Sequence, residues 1–428
     1  MKKIIPNWGV VALFFAILVV VGLYFGLSDS ALSGDIKTIG NTPLSVTENH
    51  GAQPAAPALV SRLSRKQVPT STAVRAIYMT SWVASQKDWR KRLAEFVRDS
   101  DLNSIIIDVK DYSGVIAFKT GDPVLAASGA EQVRVPDMES FIAELHDMGI
   151  YVIARISVFQ DPIYAAKYPG EAVQTQAGGV WADRHGLHFI DPASQKYWDY
   201  LFRLSKASIA IGFDELNFDY VRYPTDGNLK DIKYPLSELK TVEASLRETR
   251  PTGSVLPTAK QVVLTRFFKA LSTELKPLGI PLSVDLFGMV LTARDDVSIG
   301  QVLESALPYF DYICPMVYPS HYPPNFNGYA NPANHPYEII HFVMKAGVAR
   351  VKAAGYPPNV LRPWLQDFNL GAKYDTEKVR AQIKGTHDAG LNSWLIWDPR
   401  NKYTRAAYKG WDNPPVTQDS QPLPKDAL

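Results

Sequence analysis

The chain has 428 residues, 45 Lys and Arg against 43 Asp and Glu, 46% hydrophobic residues and a single cysteine, Cys314. This composition is typical of a globular protein and excludes a chain that is disordered or collagen-like throughout. A net charge of +2 excludes the strongly basic surface that nucleic-acid binding requires, and one cysteine excludes both an internal disulfide and a multi-cysteine metal cage.

The N-terminal segment, residues 1–27, is predicted to enter a membrane. No charged residue follows Lys3 before Asp29, and residues 8–27 are almost purely apolar. At about 1.5 Å per residue, such a helix is long enough to cross a ~30 Å hydrocarbon layer. The length favours an uncleaved anchor over a signal peptide, although Ala-Leu-Ser at 31–33 leaves cleavage open. We therefore expect a single-pass protein of the cell membrane with its body on the extracytoplasmic side, or a secreted protein if the segment is cleaved.

Composition divides the remainder of the chain into a linker, one body and a tail. Residues 28–74 are rich in Ser, Thr, Ala, Pro and Gly without periodicity, and we interpret them as a flexible linker. Residues 75–410 are the predicted globular domain, and residues 411–428 are predicted to be a disordered tail.

Short apolar runs within the body are the predicted strands, and stretches with helical periodicity separate them. This alternation indicates βα units and a parallel sheet, and eight such units close a barrel. We therefore predict an α/β fold of the (β/α)8 TIM-barrel type. An open doubly wound sheet is the alternative, but no Gly-x-Gly-x-x-Gly turn follows an early strand. The strands are predicted at 76–82, 104–110, 151–159, 214–222, 281–288, 311–319, 361–368 and 393–399, and the clearest helices at 89–100, 138–148, 195–211, 262–278 and 376–389.

Polar and apolar residues alternate in several of the predicted strands. Because strand side chains alternate and helices cover the outside of a barrel, the polar faces are expected to point inward. In the fourth strand Leu216, Phe218 and Tyr220 are predicted to point outward. The predicted inward residues are Ser104, Ile106, Asp108 and Lys110 in the second strand, Arg155 and Ser157 in the third, Glu215, Asn217 and Asp219 in the fourth, and Ser283 and Asp285 in the fifth.

Charged residues fall late in several strands, where the active sites of such barrels lie. Asp161, Asp191 and Asp398 each precede a proline, so a helix N-cap is an equal interpretation for them. Asp219 and Asp285 lie inside apolar runs, where an unpaired carboxylate would be costly, and a structural salt bridge is their alternative. The late charged residues are Asp108, Arg155, Asp219, Asp285, Asp367 and Asp398.

Four motifs together resemble the glycoside hydrolase barrels catalogued as domain of unknown function 4015. They are GFDELNFDYVRYP at 212–224, LSVDLFG at 282–288, PMVYPSHY at 315–322 and RPWLQDF at 362–368, and the resemblance covers residues 75–403. It implies a carbohydrate-active barrel and specifies no substrate. The fourth strand is also similar to that of the α-amylase clan, whose catalytic Asp matches Asp219, although that clan has a Glu where this chain has Asp285. The chitinase pattern, with Glu at the end of strand four, is absent, which disfavours N-acetyl-assisted chemistry.

Glycosidic cleavage needs one carboxylic acid to protonate the leaving oxygen and one carboxylate to attack the sugar or activate water. We assign Asp219 as the nucleophile or base and Asp285 as the acid. Asp108 and Asp398 are reserve candidates for the acid, and Glu215 is expected to lie deeper, toward the closed end of the barrel.

Substrate binding is predicted at loops that combine aromatic rings, for stacking on sugars, with hydrogen-bonding groups. Arg155 and Arg222 are expected to keep one carboxylate ionised, with plain ion pairing as the alternative. The insertion at 223–260 is interpreted as a lid or rim. The predicted substrate-binding residues are Asp108, Arg155, Trp181, His185, Asn217, Arg222, Tyr318, His321, Trp364, Gln366, Trp397 and Asp398.

Metal catalysis is not predicted, although Asp183, His185 and His188 are close in sequence. Their spacing fits neither the His-x-His of zinc amidohydrolase barrels nor a helical pair of histidines four residues apart with a Glu. We expect no cofactor. Two functions follow: a membrane-tethered glycoside hydrolase that cleaves an extracytoplasmic polysaccharide, and, as the alternative, a non-catalytic carbohydrate-binding barrel.

Overall fold

The structure, a computed structural model, describes residues 68–248 and 256–411. Its centre is a closed barrel of eight parallel strands, in which each strand pairs with its neighbours in sequence and the last pairs with the first. The predicted barrel is confirmed. The strands are β1 (Arg75–Met79), β2 (Ser104–Lys110), β3 (Tyr151–Ser157), β4 (Glu215–Asp219), β5 (Leu282–Phe287), β6 (Tyr312–Met316), β7 (Trp364–Gln366) and β8 (Trp394–Trp397).

Amphipathic helices connect the strands. In the helix at Lys87–Arg98, for example, Leu93, Phe96 and Val97 are buried, whereas Arg92 and Arg98 are exposed. The periodicity placed the ends of five helices within a few residues. The helices are α1 (Ser81–Ala84), α2 (Lys87–Arg98), α3 (Pro123–Ser128), α4 (Met138–Asp147), α5 (Pro162–Lys167), α6 (Gln195–Ala210), α7 (Leu239–Glu248), α8 (Ala259–Leu275), α9 (Leu303–Ala306), α10 (Pro336–Ala353) and α11 (Thr376–Asp388).

The strands are buried on both faces, and each face meets a different apolar layer. In β2, Ile105 and Ile107 join the outer layer between strands and helices. Ile106 joins the inner layer on the barrel axis, together with Ile153 of β3 and Leu395 of β8. Burial on both faces explains why most strands read as continuous apolar runs. The polar faces predicted for β4 and β5 do point inward, because Phe218 and Val284 lie in the outer layer, for example.

A β-bulge near the end of β2 changes the direction of one side chain from the direction predicted. Asp108 pairs with Arg155 of β3, but the next pair in the register is Lys110 with Ile156. The extra residue turns the Lys110 side chain away from the barrel axis. Its Nζ donates to the Ser157 carbonyl at 2.7 Å and lies 3.0 Å from a carboxylate oxygen of Asp161, the N-cap of α5. The prediction that Lys110 shares the inward face of Asp108 is therefore wrong.

β4 ends earlier than its sequence pattern predicts. The strand stops at Asp219, and Tyr220 has a positive φ of 54°. Its side chain does not enter the outer apolar layer that Leu216 and Phe218 join, and its ring lies 5.4 Å from the guanidinium of Arg222. The prediction that Tyr220 points outward is wrong because side-chain alternation holds only while the backbone is extended.

Two insertions, after β3 and after β4, pack against each other beside the barrel mouth. Gln174–Thr175 and Ile232–Lys233 form a small antiparallel sheet between them. The buried carboxylate of Asp191 accepts hydrogen bonds from the backbone nitrogens of Leu236 at 2.8 Å and Ser237 at 3.1 Å. The described part of the insertion predicted at 223–260 is therefore hydrogen-bonded to the insertion after β3, and the two together form a wall beside the barrel mouth.

The predicted anchor at 1–27 lies outside the described residues, as do most of the predicted linker and tail. Within residues 68–248 and 256–411, no helix has the length and apolar character needed to cross a bilayer. The membrane segment stays a prediction.

Candidate functional site

Three carboxylates and an arginine meet inside the barrel at the C-terminal ends of neighbouring strands. Asp108 lies late in β2, Arg155 in β3 and Asp285 in β5, and Asp219 is the last residue of β4. All are buried, with exposed fractions of 3%, 4%, 1% and 6%, respectively. Because the strands are parallel and in register, residues late in each strand reach the same end of the barrel. The structure therefore brings the predicted catalytic pair together with two predicted binding residues.

Arg155 is the centre of this cluster. Its Nη1 donates to Asp108 Oδ1 at 2.6 Å, its Nη2 donates to Asp219 Oδ2, and its Nε lies 3.8 Å from Asp285 Oδ2. Burial alone would lower the pKa of Arg155, but the charges of Asp219 and Asp108 raise it well above its ordinary value. One permanent cation thus holds three carboxyl groups around it.

Asp285 has a different environment from Asp219. Its Oδ1 accepts hydrogen bonds from Asn217 Nδ2 and Trp364 Nε1, both at 2.8 Å, whereas its Oδ2 has no hydrogen-bond partner in the described structure. Burial, and then the neighbouring charge of Asp219, raise the pKa of Asp285 well above the ordinary carboxyl range. Burial thus favours the neutral form of Asp285, and Oδ2 is its oxygen without a hydrogen-bond partner.

Asp108 is hydrogen-bonded to one of two stacked aromatic rings, Tyr78 and Trp397. The Tyr78 hydroxyl donates to Asp108 Oδ2, and burial raises the pKa of Asp108 to about 6 despite Arg155 and this hydrogen bond. The Tyr78 ring stacks on Trp397, with ring centroids 3.9 Å apart, and the Trp397 ring lies 4.9 Å from the Arg155 guanidinium. Sequence reasoning missed Tyr78. The available signal was its place two residues after Ala76, on the inward face of the first strand.

Tyr318 and His321 lie on the loop after β6. The Tyr318 ring lies in the inner apolar layer with Tyr78 and Trp364. Burial, then the charges of Asp285 and Asp219, raise the pKa of Tyr318 well above its ordinary value. The His321 ring centroid is 5.1 Å from that of Tyr318, and burial lowers the pKa of His321 to about 4. His321 therefore contributes a neutral imidazole at neutral pH.

Four other predicted binding residues are described by contacts or positions outside the carboxylate cluster. Trp181 is buried in the first insertion, where its Nε1 donates to the Asn228 carbonyl at 3.1 Å, and His185 lies on an exposed turn of the same insertion. The buried Gln366 donates to the Phe368 carbonyl at 2.9 Å. The buried Asp398 accepts from the backbone nitrogen of Arg400 at 2.6 Å. Pro399 and Arg400 form a turn and do not begin the helix that the capping interpretation expected. Their contact with substrate stays a prediction.

Arg222 and Glu215 make their hydrogen bonds outside the carboxylate cluster. Arg222 Nη1 donates to Thr225 Oγ1 at 3.2 Å, so Arg155 and not Arg222 pairs with the candidate catalytic residues. Glu215 lies deeper, as expected, where its Oε2 is 2.8 Å from Arg362 Nη1 and its Oε1 accepts from Ser283 Oγ at 2.6 Å. Within the described parts of the chain, no group of three or more His, Cys, Asp or Glu is arranged to hold a metal ion.

A parallel barrel with carboxylates at the C-terminal ends of β4 and β5 belongs to the class of TIM-barrel proteins whose site lies at the strand ends. The family described as "Putative glycosyl hydrolase domain", domain of unknown function 4015, matches residues 76–403. The chain belongs to this family. No curated protein sequence matches it.

Solved structures similar to this chain include glycoside hydrolases. The PgaB (BpsB) glycoside hydrolase domain from Bordetella bronchiseptica is 15% identical with a TM-score of 0.56, covering 79% of this chain and 99% of that domain. Alpha-L-fucosidase isoenzyme 2 from Paenibacillus thiaminolyticus is 14% identical with a TM-score of 0.52, covering 79% of this chain and 48% of that one. A hypothetical protein from Ruminiclostridium thermocellum is 26% identical over 49% of this chain and 96% of its own, with a TM-score of 0.40. At these identities, the first two similarities show the barrel fold.

Proposed function

We propose that this protein is a glycoside hydrolase in which Asp285 is the general acid and Asp219 is the nucleophile or base. The observation that carries the proposal is the unequal environment of two neighbouring carboxyl groups. Asp219 is ion-paired with Arg155, whereas burial raises the pKa of Asp285. Glycosidic cleavage requires one carboxyl group in each protonation state.

The proposed acid step involves two atoms, a proton donor and a neighbouring cation, that lack hydrogen-bond partners in the described structure. They are Asp285 Oδ2 and Arg155 Nε, which lie 3.8 Å apart. Asp285 Oδ2 donates its proton to the glycosidic oxygen as the bond to the anomeric carbon breaks. Asp219 attacks that carbon or takes a proton from the attacking water. The new Asp285 anion then gains the attraction of Arg155, which stabilises the charge that develops during the reaction.

A polysaccharide outside the cytoplasm is the proposed substrate. Membership of the glycosyl hydrolase family supports a carbohydrate substrate. The aromatic rings of Tyr78, Trp397 and Tyr318 near the carboxylates support it as well. The apolar stretch at 8–27 supports a membrane tether with the barrel on the extracytoplasmic side. Extraction of cell membranes with alkaline carbonate tests the tether: the chain stays in the pellet if residues 1–27 span the bilayer, and enters the supernatant if they do not.

Release of reducing ends from a panel of bacterial polysaccharides tests the activity. The full-length chain is compared with Asp219→Asn and Asp285→Asn, which keep the shape of each side chain. We expect each substitution to lower kcat/KM by about 10²-fold or more, since each removes an acid, base or nucleophile. Wild-type activity is expected to fall as pH rises through the raised pKa of Asp285, because the acid is then ionised.

Glu215→Gln is the matched control for these two variants. Glu215 is a buried carboxylate of the same strand as Asp219, but it pairs with Arg362 away from the site. We expect this change to lower stability while the folded fraction keeps its activity. Equal activity of the wild type, Asp219→Asn and Asp285→Asn would contradict the proposed pair.

A non-catalytic carbohydrate-binding barrel is the second candidate function. The observation that favours it is burial: Asp285 is 1% exposed and its neighbours Asp219 and Asp108 are both held by Arg155. Binding of a glycan without release of reducing ends, unchanged by Asp219→Asn and Asp285→Asn, would establish this function in place of the hydrolase.

A further inference from the structure

An exposed tryptophan stands at the barrel mouth, outside the carboxylate cluster. Trp82 lies in α1, directly after β1, and 60% of its surface is exposed while its neighbours Ser81 and Val83 are buried. Large aromatic side chains are seldom left this exposed, because burial of an indole ring is strongly favourable. A ring presented to solvent at the strand ends of a barrel is placed to receive a ligand.

The Trp82 ring packs against a mostly buried arginine. The Arg134 guanidinium lies 4.1 Å from the centroid of the Trp82 ring, and its Nη1 contacts Asp111 Oδ2 at 2.6 Å and Ser81 Oγ at 3.0 Å. Arg134 is only 10% exposed in its side chain, as is Asp111. The cation therefore packs on the indole ring and its charge is compensated, while 60% of the Trp82 surface stays exposed.

The backbone directly before Arg134 adopts an unfavourable conformation. Val133 has a φ of 38°, in the left-handed region that β-branched residues avoid. Strain of this kind persists only where surrounding interactions overdetermine it, and it is concentrated at ligand-binding positions. We call Arg134, together with the Asp111 and Ser81 groups that hold it, the clamp on Trp82. The clamp is thus a specific feature of the fold.

The clamp is continuous with the carboxylate cluster. Asp111 and Tyr112 directly follow β2, which carries Asp108 and pairs with β1. Tyr112 is 40% exposed, so a second ring is presented at the same mouth. The charges of Asp111 and Asp108 both act on the pKa of Tyr112, as expected for groups that lie close together.

We propose that Trp82 and Tyr112 form a sugar-stacking subsite that binds a neutral hexopyranose unit of a polysaccharide at a distance from the bond to be cleaved. A pyranose ring offers an apolar face of C–H groups to an aromatic ring, and the paired Arg134 leaves no uncompensated charge for an acidic sugar. The proposal rests on the proposed function in that the polymer bound is the proposed substrate.

Affinity electrophoresis tests the subsite without requiring catalysis. The full-length chain, in a detergent without a sugar headgroup, is run through native gels that contain glycogen, mixed-linkage β-glucan, dextran, galactomannan or xylan. We expect at least one polysaccharide to retard the wild type, and Trp82→Ala to weaken that binding about tenfold, with a smaller loss for Tyr112→Ala. Phe342→Ala is the matched control, because Phe342 is an exposed aromatic (42%) on the outer helix α10, and it should bind as the wild type does.

The outcomes separate this subsite from the proposed catalysis. Asp219→Asn should be retarded as the wild type is, whatever its activity. Equal retardation of the wild type and Trp82→Ala, or no retardation of the wild type in any of the five gels, overturns the subsite. Neither result bears on whether the carboxylates cleave a short aryl glycoside. If the wild type is retarded but cleaves none of the polysaccharides and no short aryl glycoside, the proposed function is overturned and a glycan-binding platform remains.

Discussion

At the residue scale, the main feature of this protein is a buried arginine shared by three carboxyl groups. An ion pair taken out of water gains stability only when its hydrogen bonds are well satisfied. Asp108 and Asp219 each have a direct hydrogen bond to Arg155, while Asp285 keeps one oxygen without a hydrogen bond. The burial that raises the pKa of Asp285 is therefore the property that suits it to acid catalysis.

A pH-dependent stability is expected from His321. Burial lowers its pKa from the ordinary 6.5 to about 4. Between these values the unfolded chain binds a proton that the folded chain does not, so the free energy of unfolding falls as pH decreases through this window. One such proton corresponds to a slope of about 1.4 kcal/mol per pH unit. Urea denaturation of the wild type and His321→Gln at pH 7, 6 and 5 measures this slope, which should be smaller in the variant.

His387 provides a comparison within the same protein. Burial also lowers its pKa to about 4, so His387→Gln should reduce the slope in the same direction, and the two effects should add. If His321→Gln shows the same pH dependence as the wild type, folding does not lower the pKa of His321, and the desolvated environment assigned to its ring is wrong.

At the element scale, the bulge in β2 decides which side chains reach the barrel axis. It leaves Asp108 inside and sends Lys110 to a buried pair with Asp161, which also accepts from the Tyr197 hydroxyl at 2.9 Å. Bulges near active sites commonly redirect side chains in this way. The same pair connects the end of β2 to the start of α5, beside the site.

Removal of one partner of this pair should be strongly destabilising. Lys110→Met leaves the fully buried Asp161 without its cation, and we expect the free energy of unfolding to fall by about 3–5 kcal/mol. The double variant Lys110→Met with Asp161→Asn removes the stranded charge and should recover part of that loss. Urea denaturation of the three proteins measures both effects. A loss below about 1 kcal/mol in the single variant, within the range of exposed ion pairs, would show that Lys110 is not buried against Asp161.

At the scale of the whole molecule, the two insertions turn one side of the barrel mouth into a fixed wall. The small sheet and the hydrogen bonds to Asp191 join a segment that follows β3 to one that follows β4. Trp82 and the Arg134 side chain that contacts it stand on the loops after β1 and β2.

Asp191 is expected to hold this wall in place. Asp191→Ala leaves the backbone nitrogens of Leu236 and Ser237 without their acceptor, so the second insertion should open locally while the barrel stays folded. We expect faster tryptic cleavage at Lys230, Lys233 and Lys240 and an unchanged circular dichroism spectrum. Asp231→Ala is the matched control, because the Asp231 carboxylate accepts an exposed backbone hydrogen bond from Gln176 at 3.1 Å. Equal cleavage rates for the two variants would contradict this role of Asp191.

The fold was predictable because its signals are local. A βα unit is written in consecutive residues, as the alternation in β4 and the five clearest helices show, so strand order and barrel class follow from the pattern. The pattern failed at Lys110 and Tyr220, where a bulge and a positive φ interrupt the regular backbone. Neither interruption changes the periodicity of side-chain types that the prediction depends on.

The sequence by itself determined the barrel, its family and the inward direction of Asp219 and Asp285, since these depend on periodicity and motif within single strands. Only the tertiary structure decided which late-strand residues meet. Asp285 acquires its environment from Asn217 and Trp364, which are 68 and 79 residues away in the chain, and Arg155 from Asp108 and Asp219. Hydrogen bonding and desolvation act through space between strands, so the protonation states proposed for Asp219 and Asp285 depend on closure of the barrel.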